Sequence, residues 1–295
     1  MRVKNYQSGI LAEETRMARF LVFNVIQRAD LEKTLRAFAA NVNTTNTVTG
    51  FGQSLVAALG KSIPGLRTFP AIAASALEIP STPAALWCWL RGDDRGELHH
   101  RSRHIESLLL PNFSLDNVVD CFQYDQNRDL TGYIDGTENP RNEAAIAAAI
   151  VKGKGTGLDG SSFVAVQQWM HDLDYFDSLS GEEQDNTFGR HKRNNEEFDE
   201  APESAHVKRT AQESFDPDAF ILRRSMPWVD GVHAGLNFVA FGKSFDAYEA
   251  ILNRMVGAED GIRDALFDIS QPVNGAYFWC PPAREDRLDL AALEI

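Results

Sequence analysis

MARFLVFNVIQRADLEKTLRAFAANV (17–42) decides the fold class. Residues 17–26 are apolar and rich in large side chains, and ADLEKTLRAFAANV (29–42) places Leu31, Leu35, Phe38 and Val42 at helical spacing. The pattern predicts a strand followed by a helix. Farther on, ALWCWLRGDDRGE (85–97) predicts a strand ending in a charged turn, LHHRSRHIESLLL (98–110) a helix, and SLDNVVDCFQY (114–124) another strand. The second half repeats this loosely. SSFVAVQQWMHDL (161–173), AFILRRS (219–225), GLNFVAFGKS (235–244) and GAYFWC (275–280) predict strands. SFDAYEAILNRMVGA (244–258) predicts a helix with Ser244 as N-cap and Phe245, Tyr248, Ile251, Leu252 and Met255 on its apolar side. Two successive units mixing antiparallel strands with helices predict an α+β duplication rather than a parallel sheet. Its boundary falls between 125 and 145.

The 295 residues leave room for two domains of ordinary size. A hydrophobic content of 43% and a charged content of 24% suit a globular chain. With 29 basic against 42 acidic side chains the net charge is −13, which repels phosphate backbones and anionic lipid, so no nucleic-acid partner is expected. The N-terminal stretch lacks the apolar core of a secretory signal and a twin-arginine pair, and no run of about 18 apolar residues occurs. The expected setting is the cytoplasm, without membrane contact. Cys88, Cys121 and Cys280 sit among apolar neighbours and read as buried, inert thiols. Most of Trp87, Trp89, Trp169, Trp228 and Trp279 read as core.

GKGTGLDG (153–160) does not match a phosphate-binding G-x-x-x-x-G-K-[ST] loop and reads as a turn. The polar stretch GEEQDNTFGRHKRNNEEFDEAPES (181–204) reads as a solvated loop long enough to be functional.

Three segments carry chemistry. GYIDGTENP (132–140) puts Asp135 between an apolar run and Gly136, where a turn can fix a carboxylate's angle; an ordinary Asx turn explains it equally well. ESAHVKRT (203–210) isolates His206 beside small residues that would let a flat ligand approach, although a lone histidine is more often a surface or satisfied core residue. The other six histidines show no metal-binding spacing. AFILRRSMPW (219–228) ends an apolar strand with two arginines, and burying one requires an anionic partner.

In this order, with LFDISQP (266–272) and GAYFWC downstream, the segments resemble the B-type dye-decolourising peroxidases over roughly residues 130 to 282. The resemblance implies a pair of ferredoxin-like units of the dimeric α+β barrel type, with an N-terminal unit over 1–130 and a haem-carrying unit over 131–295. It implies haem b (iron protoporphyrin IX) held by His206, Asp135 and Arg223 as the catalytic pair, and Ser225 completing the Arg-x-Ser pattern. Arg224 is then the outward neighbour. It further implies that Asp268 accepts a hydrogen bond from His206, that Arg190 meets a haem propionate although His191 departs from the family pattern, and that Leu236 and Phe238 form an apolar wall. The implied activity is reduction of hydrogen peroxide coupled to one-electron oxidation of phenolic or dye-like donors. A haem- or porphyrin-handling protein with incidental peroxidase activity is the alternative, and a cofactor-free binding module a third reading. The resemblance also implies a homo-oligomer. The short tail LDLAALEI argues against enclosure in a protein shell.

Overall fold

The structure, a computed structural model, describes residues 5–70, 72 and 77–295. Its first half runs β1 (Met17–Val25), α1 (Leu31–Asn41), β2 (Thr47–Phe51), α2 (Gln53–Ala58), β3 (Leu86–Gly92), α3 (Arg95–Leu109) and β4 (Phe113–Phe122). The second half runs α4 (Asn142–Ala149), β5 (Ser162–His171), α5 (Leu173–Ser178), α6 (Gly181–Phe188), α7 (His206–Thr210), β6 (Leu222–Arg223), β7 (Met226–Asp230), β8 (His233–Gly242), α8 (Asp246–Met255), β9 (Ser270–Pro272) and β10 (Ala276–Cys280). This is an α+β chain whose strand pairings are antiparallel.

The first-half strands lie in the order β4-β1-β3-β2, with Leu21 opposite both Cys88 and Val118. In the second half, β8 lies between the β6–β7 segment and β5, and β5 pairs with β10. The two sets touch at both edges, through Cys121 opposite Trp228 and Phe51 opposite Trp279, so the pairings close into a cycle. Each strand thereby has two faces to bury. Leu86, Cys88 and Leu90 pack with Leu35, Phe38, Ile105 and Leu252 from the helices. Trp87 and Trp89, alternating with them, join Phe20, Phe241 and Phe278 in a second core. Phe20 stacks on both indoles at 6.0 Å, and Trp87 on Phe278 at 6.0 Å. Burial on both faces is why LWCWL reads as an unbroken apolar run rather than an alternating one. All five tryptophans and all three cysteines are buried, and the cysteines are unpaired.

Three sequence expectations need correction. The strand expected over 219–225 is only β6, because the Val239 N–H turns to the Ser225 side-chain oxygen at 3.3 Å, interrupting the ladder before β7 resumes it. Helix α8 begins at Asp246 with Phe245 in the cap position; Ser244 Oγ accepts the Asp246 N–H from one residue farther back. The expected loop over 181–204 opens with a helix, α6, because Ser180 and Glu183 form a reciprocal capping box. The 153–160 stretch is a turn region, as expected, with Gly153, Gly155, Gly157 and Gly160 at positive φ.

Candidate functional site

A cavity of about 960 Å³, its mouth included, lies between the β5–β8 sheet face and helices α7 and α8. Gln167, Trp169 and His171 alternate along β5, opposite Leu236 and Phe238 on β8. Tyr248, Ile251, Leu252 and Met255 of α8 cover this face. Asp135, His206 and Arg223, far apart in sequence, meet on its wall.

His206 is the first residue of α7, following buried Ala205. Three contacts fix this short helix. Arg209, buried, grips Asp260 through two bonds of 2.7 and 2.8 Å and donates to the Arg254 carbonyl at the end of α8. Thr210 donates to the His206 carbonyl. The His206 ring is held by Nδ1, 2.8 Å from Asp264 Oδ2, a carboxylate with no exposed side-chain surface. An ionised carboxylate can only accept, so Nδ1 carries the proton and Nε2 keeps its lone pair. Nε2 makes no hydrogen bond among the described residues. This arrangement suits a metal ligand.

The carboxylate that holds the His206 ring is therefore Asp264, not the expected Asp268. Both lie in DALFDIS, but Asp264 caps the 3-10 turn Ala265–Asp268, spending Oδ1 on the Leu266 N–H and aiming Oδ2 at His206. Asp268, at the other end of that turn, pairs with Arg263 at the surface.

Asp135 is held by a bond from its N–H to the Asn127 carbonyl, and its Oδ1 accepts the Gly136 N–H at 2.7 Å. This contact leaves Oδ2 without a hydrogen-bond partner among the described residues. Four residues on, Asn139 accepts the Arg223 N–H at 2.8 Å and donates to the Arg223 carbonyl at 3.0 Å. The carboxylate turn and the arginine strand are thus joined through the Arg223 backbone. Sequence reasoning missed Asn139, whose position inside GYIDGTENP was its only signal. Arg223 Nε is buried without a partner among the described residues.

Arg224 turns away from the cavity, as expected, but is largely buried: it binds the Ile10 carbonyl and Glu14 at 3.2 Å each. Burial lowers its proton affinity, partly offset by Glu14. Ser225 borders an adjoining polar groove rather than the cavity, and its hydroxyl is engaged by Val239. That groove shares Asp129, Asp135, Arg223 and Leu236 with the cavity and gives it a polar entrance. Arg190 lines a second groove beside His206, Thr210 and Arg223, with its guanidinium held by Glu138, Glu197 and the Asn195 carbonyl. Leu236 and Phe238 line the cavity.

His171 is a second histidine on the cavity wall, but both its ring nitrogens are occupied, by Ser270 Oγ at 2.6 Å and Asp129 Oδ2 at 3.0 Å. Geometry therefore separates it from His206 as a metal ligand.

Residues 126–285 match the family model described as Dyp-type peroxidase, C-terminal. The chain is 33% identical over 210 residues to a dye-decolorizing peroxidase of Rhodococcus erythropolis, covering 69% of this chain and 62% of that protein. It is 30% identical over 216 residues to one of Brevibacterium linens, covering 71% and 58%. It thus spans about three-fifths of these relatives' length. Among solved structures, a DypB variant of Rhodococcus jostii RHA1 in complex with heme superposes with a TM-score of 0.84 at 26% identity, covering 93% of this chain and 95% of that one. A Dyp-type candidate from Shewanella oneidensis superposes with a TM-score of 0.88 at 27% identity, covering 99% and 98%. The family model spans more than half the sequence and includes every one of the cavity's wall residues at Asp135, His206 and Arg223: the chain belongs to the Dyp-type peroxidase family.

Proposed function

We propose that the protein is a haem peroxidase that reduces hydrogen peroxide and oxidises phenolic or dye-like donors by one-electron steps. The observation that carries this reading is the free Nε2 of His206, backed by buried Asp264, on a largely apolar cavity that also holds Asp135 and Arg223. Among the described residues no cluster of three or more His, Cys, Asp or Glu side chains forms a protein-only metal cage. A metal at His206 would therefore draw its other ligands from a cofactor, as a porphyrin supplies them, and the sheet face formed by Trp169, Leu236 and Phe238 suits a flat apolar ring.

Bound haem would supply the iron that activates peroxide and stores its oxidising equivalents. His206 would hold that iron, and its hydrogen bond to Asp264 makes the imidazole a stronger donor. Asp135, as a carboxylate, can take a peroxide proton on Oδ2 and return it to the departing oxygen. The Arg223 guanidinium, whose Nε has no partner among the described residues, stabilises the negative charge on that oxygen. The apolar wall strengthens both effects by excluding water. Arg190 would meet a carboxylate of the cofactor by exchanging its present acidic partners for it.

The same proposal includes haem b as the cofactor and two ferredoxin-like units over 1–130 and 131–295, arranged in the manner of a dimeric α+β barrel. The matching strand orders of the two halves and their two edge contacts support that division. A cytoplasmic homo-oligomer acting on small donors, without nucleic acid, membrane or shell partners, completes it. No helix among the described residues is long and apolar enough to cross a membrane. The relatives' names favour a peroxidase over a haem carrier.

The test is stoichiometric mixing of the haem-loaded protein with peroxide, followed by turnover of a phenolic donor. Arg223→Leu and Asp135→Ala should each retain haem and slow the peroxide step at least tenfold; rates equal to the parent's in both variants would refute the assignment.

A further inference from the structure

Asp129, His171 and Ser270 form a buried hydrogen-bonded chain that the peroxide chemistry above does not use. His171 ends β5, Ser270 begins β9, and Asp129 belongs to the segment leading to Asp135. Ser270 Oγ to His171 Nδ1 is 2.6 Å, His171 Nε2 to Asp129 Oδ2 is 3.0 Å, and Asp129 Oδ1 accepts the Thr131 N–H and hydroxyl at 2.9 and 2.6 Å. All three residues border the cavity. His171 and Ser270 also border an outer groove carrying Asp172, Asp174, His233 and Asp268. The chain therefore has one side on the cavity and one on solvent.

Its hydrogen bonding accommodates two protonation states. Burial alone would raise the Asp129 carboxyl, but the bond from His171 and the two Thr131 donors outweigh it and hold the group below the usual carboxylate range. Asp129 is thus an anion that accepts from Nε2–H in either state. With a neutral ring, the Ser270 hydroxyl donates to Nδ1. With a charged ring, Nδ1–H donates to Ser270 Oγ, whose hydroxyl turns to the Met170 carbonyl 3.3 Å away. Rotation of one hydroxyl converts one satisfied network into the other. The pair's net charge changes from −1 to 0 without leaving a buried polar atom unpaired.

Resting on the peroxidase reading, we propose that His171 is a redox-linked proton-loading residue, taking a proton from the outer groove through Ser270 as an electron enters the cavity. Reducing peroxide to water consumes one proton per electron: H2O2 + 2 e⁻ + 2 H⁺ gives two waters. Negative charge arriving in a largely apolar cavity raises the proton affinity of a wall histidine, and by reciprocity a protonated His171 favours reduction. Asp129 and Ser270 are positioning residues that keep both ring states hydrogen-bonded.

The experiment measures the midpoint potential of the haem-loaded protein between about pH 5 and 9, a range spanning ordinary histidine titration, for the parent, His171→Gln and Ser270→Ala. One proton per electron gives a tenfold change in the reduction equilibrium per pH unit, about 59 mV. The parent should show a segment approaching this slope, His171→Gln should lose it, and Ser270→Ala should move it to lower pH, because the bond lost to the charged ring is stronger than the one lost to the neutral ring. The same slope in His171→Gln overturns the proposal. In parallel, ¹⁵N-histidine NMR of the haem-free protein follows the His171 ring. A second proton added at Nδ1 with Nε2–H retained supports the mechanism, and a ring that stays singly protonated throughout overturns it. Failure to form a Soret band on adding haem would instead overturn the peroxidase reading, a result distinct from either readout of His171.

Discussion

His206 Nδ1 lies 2.8 Å from Asp264 Oδ2, and the carboxylate is fully buried between the start of α7 and a 3-10 turn. Because Asp264 also accepts the Leu266 N–H, ring and turn are positioned together. Replacing Asp264 by Asn should weaken haem binding by roughly 10–100-fold, the usual cost of losing such an outer partner. Asp268→Asn, which removes only a surface pair with Arg263, should leave binding unchanged. Haem titrations monitored at the Soret band separate the two carboxylates; the reverse pattern would restore Asp268 to the role expected of it.

Asn139 ties the segment bearing Asp135 to the backbone of Arg223 by two hydrogen bonds. Asn139→Ala should therefore slow the peroxide step severalfold while leaving haem affinity near that of the parent. It should also cost about 1–3 kcal/mol of stability, since the Arg223 N–H loses its partner. Stopped-flow mixing with peroxide and thermal unfolding measure both effects.

Gly189 ends α6 at φ 78°, and a Cβ there would lie 2.4 Å from Val207 Cγ2 and 3.1 Å from the Ala205 Cβ. Those residues flank His206. Gly189→Ala should lose about 1–3 kcal/mol from backbone strain alone, plus the displacement of α7, and should weaken haem retention. Unfolding midpoints combined with haem titration test whether the two losses occur together.

The fold class was legible because the long elements carry strong patterns: Leu31, Leu35 and Phe38 on α1, and Tyr248, Ile251, Leu252 and Met255 on α8, are all buried. Short elements were not. Strand β2 has five residues and α7 five, too few to express a period. In the site, Asp135, His206 and Arg223 were legible from their motifs, and the structure brings them to one cavity. Asp264 was not, since two aspartates four residues apart differ only in which end of a single turn they occupy. The partners of Arg190 and Arg224 were likewise hidden, because Glu14, Glu138 and Glu197 approach from other segments.

Asp129 gives the expected response to acid. Its folded carboxyl is held below the ordinary value of 3.8 by His171 and Thr131 despite burial. Its stabilising contribution is therefore complete above about pH 4 and is lost as pH falls through the lower folded value. Asp129→Asn should lower the unfolding midpoint at pH 7 and flatten its dependence on pH below 4. Thermal unfolding from pH 2 to 7 measures that change; parallel curves for parent and variant would show that Asp129 is not linked to folding in this way.

Haem ligation by His206 underlies each of the haem and peroxide expectations above. The most direct test records the absorption spectrum of the haem-loaded parent and His206→Ala before and after one equivalent of peroxide. The parent should show a Soret band that changes rapidly on mixing and that is lost or strongly altered in His206→Ala. An unchanged Soret band and an equally rapid peroxide response in the variant would contradict it.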